Sequence, residues 1–188
     1  EKGIPLTACV DRVAASGGYL MACTADQILC APFGIVGSIG VVAQVPNFNR
    51  ILKKNDVDFK EYTAGEFKRT VSLFGEITPK GEEKFQDQLE QTHVLFKNFV
   101  GQHRPQLQIE TVATGEYWYG TDAKKLGLVD EIKTSDDFIS SHLDSHQILH
   151  LKIAKKQPIR EKLSGILGQG LQKALSGTWE DLESRRLI

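Results

Sequence analysis

The chain has no large excess of charge of either sign: 23 Lys and Arg face 24 Asp and Glu across 188 residues, a formal charge of −1. That balance excludes the uncompensated basic face a nucleic-acid binder needs. No apolar run approaches the roughly 18 residues of a membrane span, and no basic N-terminal stretch leads into an apolar core and a cleavage site. Glu1 leads almost at once into the apolar residues 4–10, so the sequence reads as a soluble piece of something longer, with any export signal or anchor expected outside it. Cysteine is scarce. Cys9, Cys23 and Cys30 have neither CxxC spacing nor a nearby His, and they read as small buried hydrophobes. No metal site and no cofactor is expected from them. Apolar residues make up 40%, which is enough for one cored domain with an appendage.

What is present is an alternation of strand-like and helical texture. Residues 4–10 (IPLTACV) read as a buried strand. A tight turn of small residues, Ala14-Ala15-Ser16-Gly17-Gly18, then opens a helical stretch, and residues 27–31 read as a second strand. Pro32 ends that strand. Residues 33–42 set three glycines among β-branched residues, as a bent strand requires. A helix is expected from Phe48 to about Asn55 and a strand over 57–63. A long helix follows Thr78-Pro79, with Thr78 as cap and Phe85, Leu89, Phe96, Phe99 and Val100 on one face. Beyond it come a short helical piece, a turn at Gly115 and a helix over 121–126 closed by Gly127. A strand over 128–132, a helix over 135–143 and a strand over 148–154 end the pattern. Alternation of this kind predicts an α/β fold with mainly parallel strands.

From residue 155 onward the texture changes. Ile159, Leu163, Ile166, Leu167, Leu171 and Leu175 form a stripe at helical spacing, so residues 1–154 are expected to form the main domain and 155–188 an amphipathic helical tail. The segment 152–188 carries eight Lys and Arg against four Asp and Glu, an excess that suits anionic lipid. The glycines at 165, 168 and 170 weaken an isolated helix, however, so packing against protein ranks first.

A serine at the turn from a buried strand into a helix sits where a nucleophile would sit. Small neighbours let a substrate backbone approach, the turn exposes the hydroxyl, and the N–H groups of the first helical turn, Gly17 first, can receive an oxyanion. The same residues also suit an ordinary N-cap turn. The five histidines, His93, His103, His142, His146 and His150, lack supporting context and read as solvated surface, which leaves the base of such a serine to another residue type.

Three blocks in order, VDRVAASGGYLMACTADQILCAPFGIVGSIGVV, YTAGEFKRTVSLFGEITPKGEEKFQ and TGEYWYGTDAKKLGLVDEI, resemble the signal peptide peptidase A family of serine proteases, most closely its SohB branch. The resemblance implies the Clp protease/crotonase-like fold of stacked strand-helix repeats and a Ser-Lys dyad in place of a triad. Carried onto this chain, the nucleophile falls on Ser16, the general base on Lys68 and an orienting serine on Ser38, with the Gly17 N–H in the oxyanion hole. Lys80 and Lys84 fit better as solvated charges on the long helix, and Arg69 cannot give up its proton. To act as a base, Lys68 has to be neutral. Burial beside Phe67 and Val71, with Glu66 turned away, would favour that form.

The resemblance further implies a peptide substrate with apolar or small side chains near the scissile bond, and a homo-oligomer in which the serine of one copy meets the lysine of another. It also implies anchorage in the bacterial inner membrane through segments outside this chain, with the protease domain in the periplasm. Relatives carry a Gly-rich oxyanion segment upstream of the first strand, and this chain reads as starting after it. Two other readings of the same fold remain: a crotonase-type acyl-CoA enzyme, which would use carboxylates and leave Ser16 and Lys68 without work, and a non-catalytic assembly component.

Overall fold

A computed structural model describes residues 3–152, and backbone contacts divide the chain after His146. The fold grows from strand-turn-helix units. Strand β1 (Thr7–Val10) pairs in parallel with β3 (Gln27–Cys30), which pairs in parallel with β6 (Glu131–Ile132), giving a sheet of order β1-β3-β6. A second sheet, β2-β4-β5, joins β2 (Val13–Ala15) in parallel to β4 (Ile35–Gly37) and β4 in antiparallel fashion to β5 (Tyr117–Tyr119). The expected α/β class with mainly parallel strands is therefore what forms, although β6 is shorter than its apolar run.

The helices are α1 (Gly17–Ala22), α2 (Asn49–Lys54), α3 (Pro79–His103), α4 (Ile109–Val112), α5 (Gly120–Lys125) and α6 (Ser135–Ser140). The start of α3 follows its sequence signal closely. The Thr78 hydroxyl accepts the Gly81 N–H at 3.1 Å and Pro79 occupies the first turn, where its missing N–H costs nothing. The core lies where α1 and α3 cover the sheets, with Tyr19, Ile28, Val36, Ile39, Phe96, Val100 and Leu128 all buried. Tyr19 is fully buried and donates its hydroxyl to the Leu128 carbonyl at 2.7 Å, which fixes α1 to the segment leading into β6.

Two expected strands do not form. Residues 57–63 are irregular and exposed: Val57, Phe59 and Tyr62 have no strand edge beside them, and Phe59 packs on Phe74 instead, with ring centroids 5.8 Å apart. Residues 148–152 are likewise irregular, with Ile148, Leu149 and Leu151 exposed. The remainder of that run and the amphipathic tail expected over 155–188 lie outside the described residues.

An ion pair between the buried Arg104 and the partly exposed Asp130 locks the end of α3 to the first sheet. Arg104 donates to both oxygens of Asp130, at 2.9 and 2.7 Å, and to the Gly127 carbonyl at 3.2 Å, while Asp130 also accepts the Ile28 N–H at 2.7 Å. Burial acts to raise the pKa of Asp130, but the Arg104 hydrogen bonds, the Ile28 N–H and the guanidinium charge outweigh it and hold the carboxyl below its usual value. Because the folded value lies below the unfolded one, the stabilisation is complete above the ordinary carboxylate range of about 4 and fades as pH falls through the lowered value. Asp130→Ala leaves the buried Arg104 guanidinium short of an acceptor and should destabilise the fold by about 1–3 kcal/mol at neutral pH. Chemical denaturation of the variant at pH 7 and pH 3 checks this: its deficit relative to the parent should shrink on acidification.

Candidate active site

The chemistry-bearing turn begins at the end of β2. Ser16 caps α1 with φ 53° and ψ −121°, a backbone conformation costly to any residue with a Cβ. Hydrogen bonds on both sides enforce it. The Ser16 N–H donates to the Gly37 carbonyl at 2.8 Å, and the Ser16 carbonyl accepts from Tyr19 and Leu20 at 2.9 and 3.0 Å. Small residues are needed around this turn. Gly37 itself has φ +93°, and a Cβ there would lie 2.8 Å from the Trp118 ring. Strain stored at a serine elbow points to use of the hydroxyl rather than to an ordinary cap, and the Ser16 side chain makes no capping hydrogen bond.

Ser38 follows Gly37 with φ 51°, held by its N–H to the Glu116 carbonyl at 2.6 Å. Ser16, Gly17 and Ser38 line one cavity of about 600 Å³, walled on its apolar side by Leu20, Val41, Val42 and Phe96. Among the described residues, neither serine hydroxyl is engaged in a hydrogen bond, so both are available to an occupant. Gly17 opens α1, where its N–H has no carbonyl one turn back within the helix. A Cβ on Gly17 would meet nothing within 4 Å, so this face of the turn is open.

Lys68 does not join this group within one chain. It lies on the irregular segment between α2 and α3, exposed, and it is not among the residues lining the cavity. The burial expected for it beside Phe67 is not met. Phe67 lies beneath the ammonium groups of Lys80 and Lys84, 5.4 and 5.7 Å from its ring centre, and Glu66 pairs with Lys80. The alternation expected to turn Glu66 away from Lys68 is absent because no strand forms there. Among the described residues, no ion pair or side-chain hydrogen bond holds the Lys68 ammonium, which keeps only a backbone bond from its N–H to the Gly65 carbonyl at 3.2 Å.

One residue read as solvated surface lies in the site. His93 lines the Ser16 cavity, and its Nε2 is sealed from solvent without a partner. The signal for this was in the periodicity of α3, where His93 sits four residues after Leu89 and three before Phe96, inside the apolar stripe. Three others behave as expected of surface groups: His103, His142 and His146 hydrogen-bond within their own helical turns or to a neighbouring serine.

Buried thiols take no part. Burial pushes Cys30 up to about 11, with Asp11 adding to the effect, which makes it a poor nucleophile at neutral pH.

The profile of peptidase family S49 matches residues 1–148. A protein named "Probable protease SohB" from Haemophilus influenzae is 58% identical over 162 residues, covering 86% of this chain and 46% of its own length. Its namesake from Buchnera aphidicola of the aphid Acyrthosiphon pisum is 47% identical over 175 residues, covering 93% and 52%. The chain thus spans about half the length of these curated relatives. A crystal structure described as an enoyl-CoA hydratase/isomerase from Marinobacter aquaeolei overlaps 73% of this chain and 35% of its own, with a TM-score of 0.38 and 16% identity.

Proposed function

Because the chain belongs to peptidase family S49, we propose that it is the core of a serine endopeptidase in which Ser16 is the nucleophile, Lys68 the general base, Ser38 the residue orienting that base and Gly17 an oxyanion donor. The observation that carries this reading is the strained Ser16 turn, which presents an unengaged hydroxyl to a cavity large enough for peptide side chains. Ser16 Oγ attacks a peptide carbonyl as a neutral Lys68 amine takes its proton, and the developing oxyanion falls to the Gly17 N–H. The lysine then protonates the leaving amine and draws a proton from the water that hydrolyses the ester, returning Ser16 to its starting state.

The exposure of Lys68 favours a base supplied from one copy to the serine of another. The segment carrying it is an apolar arm. Phe48, Phe59 and Phe74 gather there with ring centroids 6.0 and 5.8 Å apart, each still exposed, and α2 buries no residue at all. An arm of that kind gains by docking on a neighbour, and docking would surround Lys68 with apolar groups and disfavour its ammonium form. The substrates we assign are peptides with apolar side chains, given the Leu20, Val41, Val42 and Phe96 wall, and the expected setting is the bacterial envelope, with the protease domain in the periplasm and anchorage through other segments.

Titration of the full-length protein with a fluorophosphonate, read by peptide mass spectrometry, tests this proposal. One adduct per chain on Ser16, blocked beforehand by a lipopeptide aldehyde, is the expected result. An adduct elsewhere, or none while peptide hydrolysis proceeds, would overturn it.

A further inference from the structure

Lys68 is exposed, yet the segment that carries it is seated at a fixed place. Residues 61–69 are exposed, whereas Thr70 and Val71 are half-buried and Ser72 is buried, so the segment meets the rest of the fold two residues after the lysine. On one side lies Gly81, in the first turn of α3 and itself buried. A Cβ built on Gly81 would overlap the Thr70 carbonyl oxygen and stand 3.1 Å from the Thr78 hydroxyl, so only glycine admits this approach of backbone to helix. Alanine is the better helix former, so glycine at this position serves the neighbouring segment and not the helix. On the other side, residues 47–49 take up consecutive carbonyls. Asn47 Nδ2 donates to Ser72 and Gly75 at 2.8 and 2.9 Å, the Phe48 N–H to Leu73 at 2.7 Å and Asn49 Nδ2 to Phe74 at 2.8 Å. A carboxamide suits position 47 because it offers two donors without a charge.

We infer that Gly81 and Asn47 are positioning residues for the proposed hydrolysis: they hold residues 70–75 between the start of α3 and the chain that leaves Ser38, and so set where Lys68 stands. This rests on the reading of Lys68 as general base. Among the described residues, the Lys68 ammonium makes no ion pair or side-chain hydrogen bond, so its place depends on the backbone that carries it. A base displaced by about 1 Å can lose up to a hundredfold in rate. Whether the lysine serves the serine of its own copy or of another, it is placed no better than its segment. Neither Gly81 nor Asn47 lines the Ser16 cavity, so their substitution should act on kcat and spare KM.

The test uses a fluorogenic apolar peptide and full-length Gly81→Ala, Asn47→Asp and Lys68→Ala proteins, with each of the first two also combined with Lys68→Ala. Gly81→Ala, whose new methyl displaces the Thr70 carbonyl, should lower kcat about tenfold or more with KM within about twofold. Asn47→Asp keeps the side chain's shape but turns a carboxylate oxygen toward two carbonyls, and it should do the same. Because Asn47 is exposed, this variant serves if Gly81→Ala folds poorly. On the Lys68→Ala background, each substitution should change the remaining hydrolysis by less than about twofold, because no base is left to misplace. A merely structural residue would lower that remainder by the same factor as in the parent. Equal losses on both backgrounds, or a parental kcat while Lys68→Ala is impaired, would overturn the role of the residue concerned and leave the base reading intact. Parental hydrolysis by Lys68→Ala would overturn the base reading and this inference with it.

Discussion

Replacing Ser16 with glycine should raise the melting temperature and abolish peptide hydrolysis together. The backbone at Ser16, φ 53° and ψ −121°, is one that glycine adopts freely and other residues adopt at a cost of about 1–3 kcal/mol. Glycine relieves that strain but removes the hydroxyl proposed as the nucleophile. For a domain of this size, about 1 kcal/mol of relief corresponds to roughly 2–4 °C in Tm. Ser16→Ala keeps the strain and loses only the hydroxyl, so its Tm should stay near that of the parent while kcat/KM falls by about a thousandfold or more. Calorimetry paired with a fluorogenic peptide assay separates these effects. A glycine variant that retains hydrolysis would show that the turn is structural; one that loses both stability and hydrolysis would show that the serine side chain props the fold.

Lys68→Ala should cost hydrolysis about two to four orders of magnitude, the usual range for loss of a general base. Its effect on folding should be within about 0.5 kcal/mol, because the side chain is exposed and, among the described residues, engages no ion pair or side-chain hydrogen bond. Lys68→Arg should be as damaging to activity, since a guanidinium does not give up its proton. Substitution of Lys80 serves as the contrast. Its ammonium is exposed, paired with Glu66 and placed over Phe67, so Lys80→Ala should leave hydrolysis within about twofold while removing a surface pair worth little. Activity that survives Lys68→Ala but not Lys80→Ala would reassign the base.

The local elements were legible where a short stretch of sequence carries its own instruction. Thr78-Pro79 announces a helix start through a side-chain acceptor and a missing N–H, and Gly127, at φ +79°, marks the end of α5. The Ala-Ala-Ser-Gly-Gly turn was legible because a run of residues with almost no side chain interrupts the change from strand-like to helical texture. What sequence could not supply was partnership. Residues 57–63 have strand composition but no neighbouring edge, so Phe59 turned to Phe74 and the segment stayed irregular. Three-residue β2 drew no signal of its own and exists because β4 lies beside it. The cavity was hidden for a similar reason: Ser16 and Ser38 come from different units, and His93 completes the wall from a helix more than fifty residues further along the chain. Attention to the gap in the α3 stripe would have found His93, because a polar residue between Leu89 and Phe96 faces the core side.

Co-assembly of Ser16→Ala copies with Lys68→Ala copies of the full-length protein, each inactive alone, tests most directly whether these two residues form a dyad between copies. In well-mixed oligomers at equal ratio, about a quarter of the shared sites would pair an intact serine with an intact lysine, and hydrolysis should return toward that fraction of the parent rate. Mixing is confirmed by mass-tagged subunits. Fully mixed oligomers that remain as inactive as either variant alone would contradict a serine and a lysine meeting across copies.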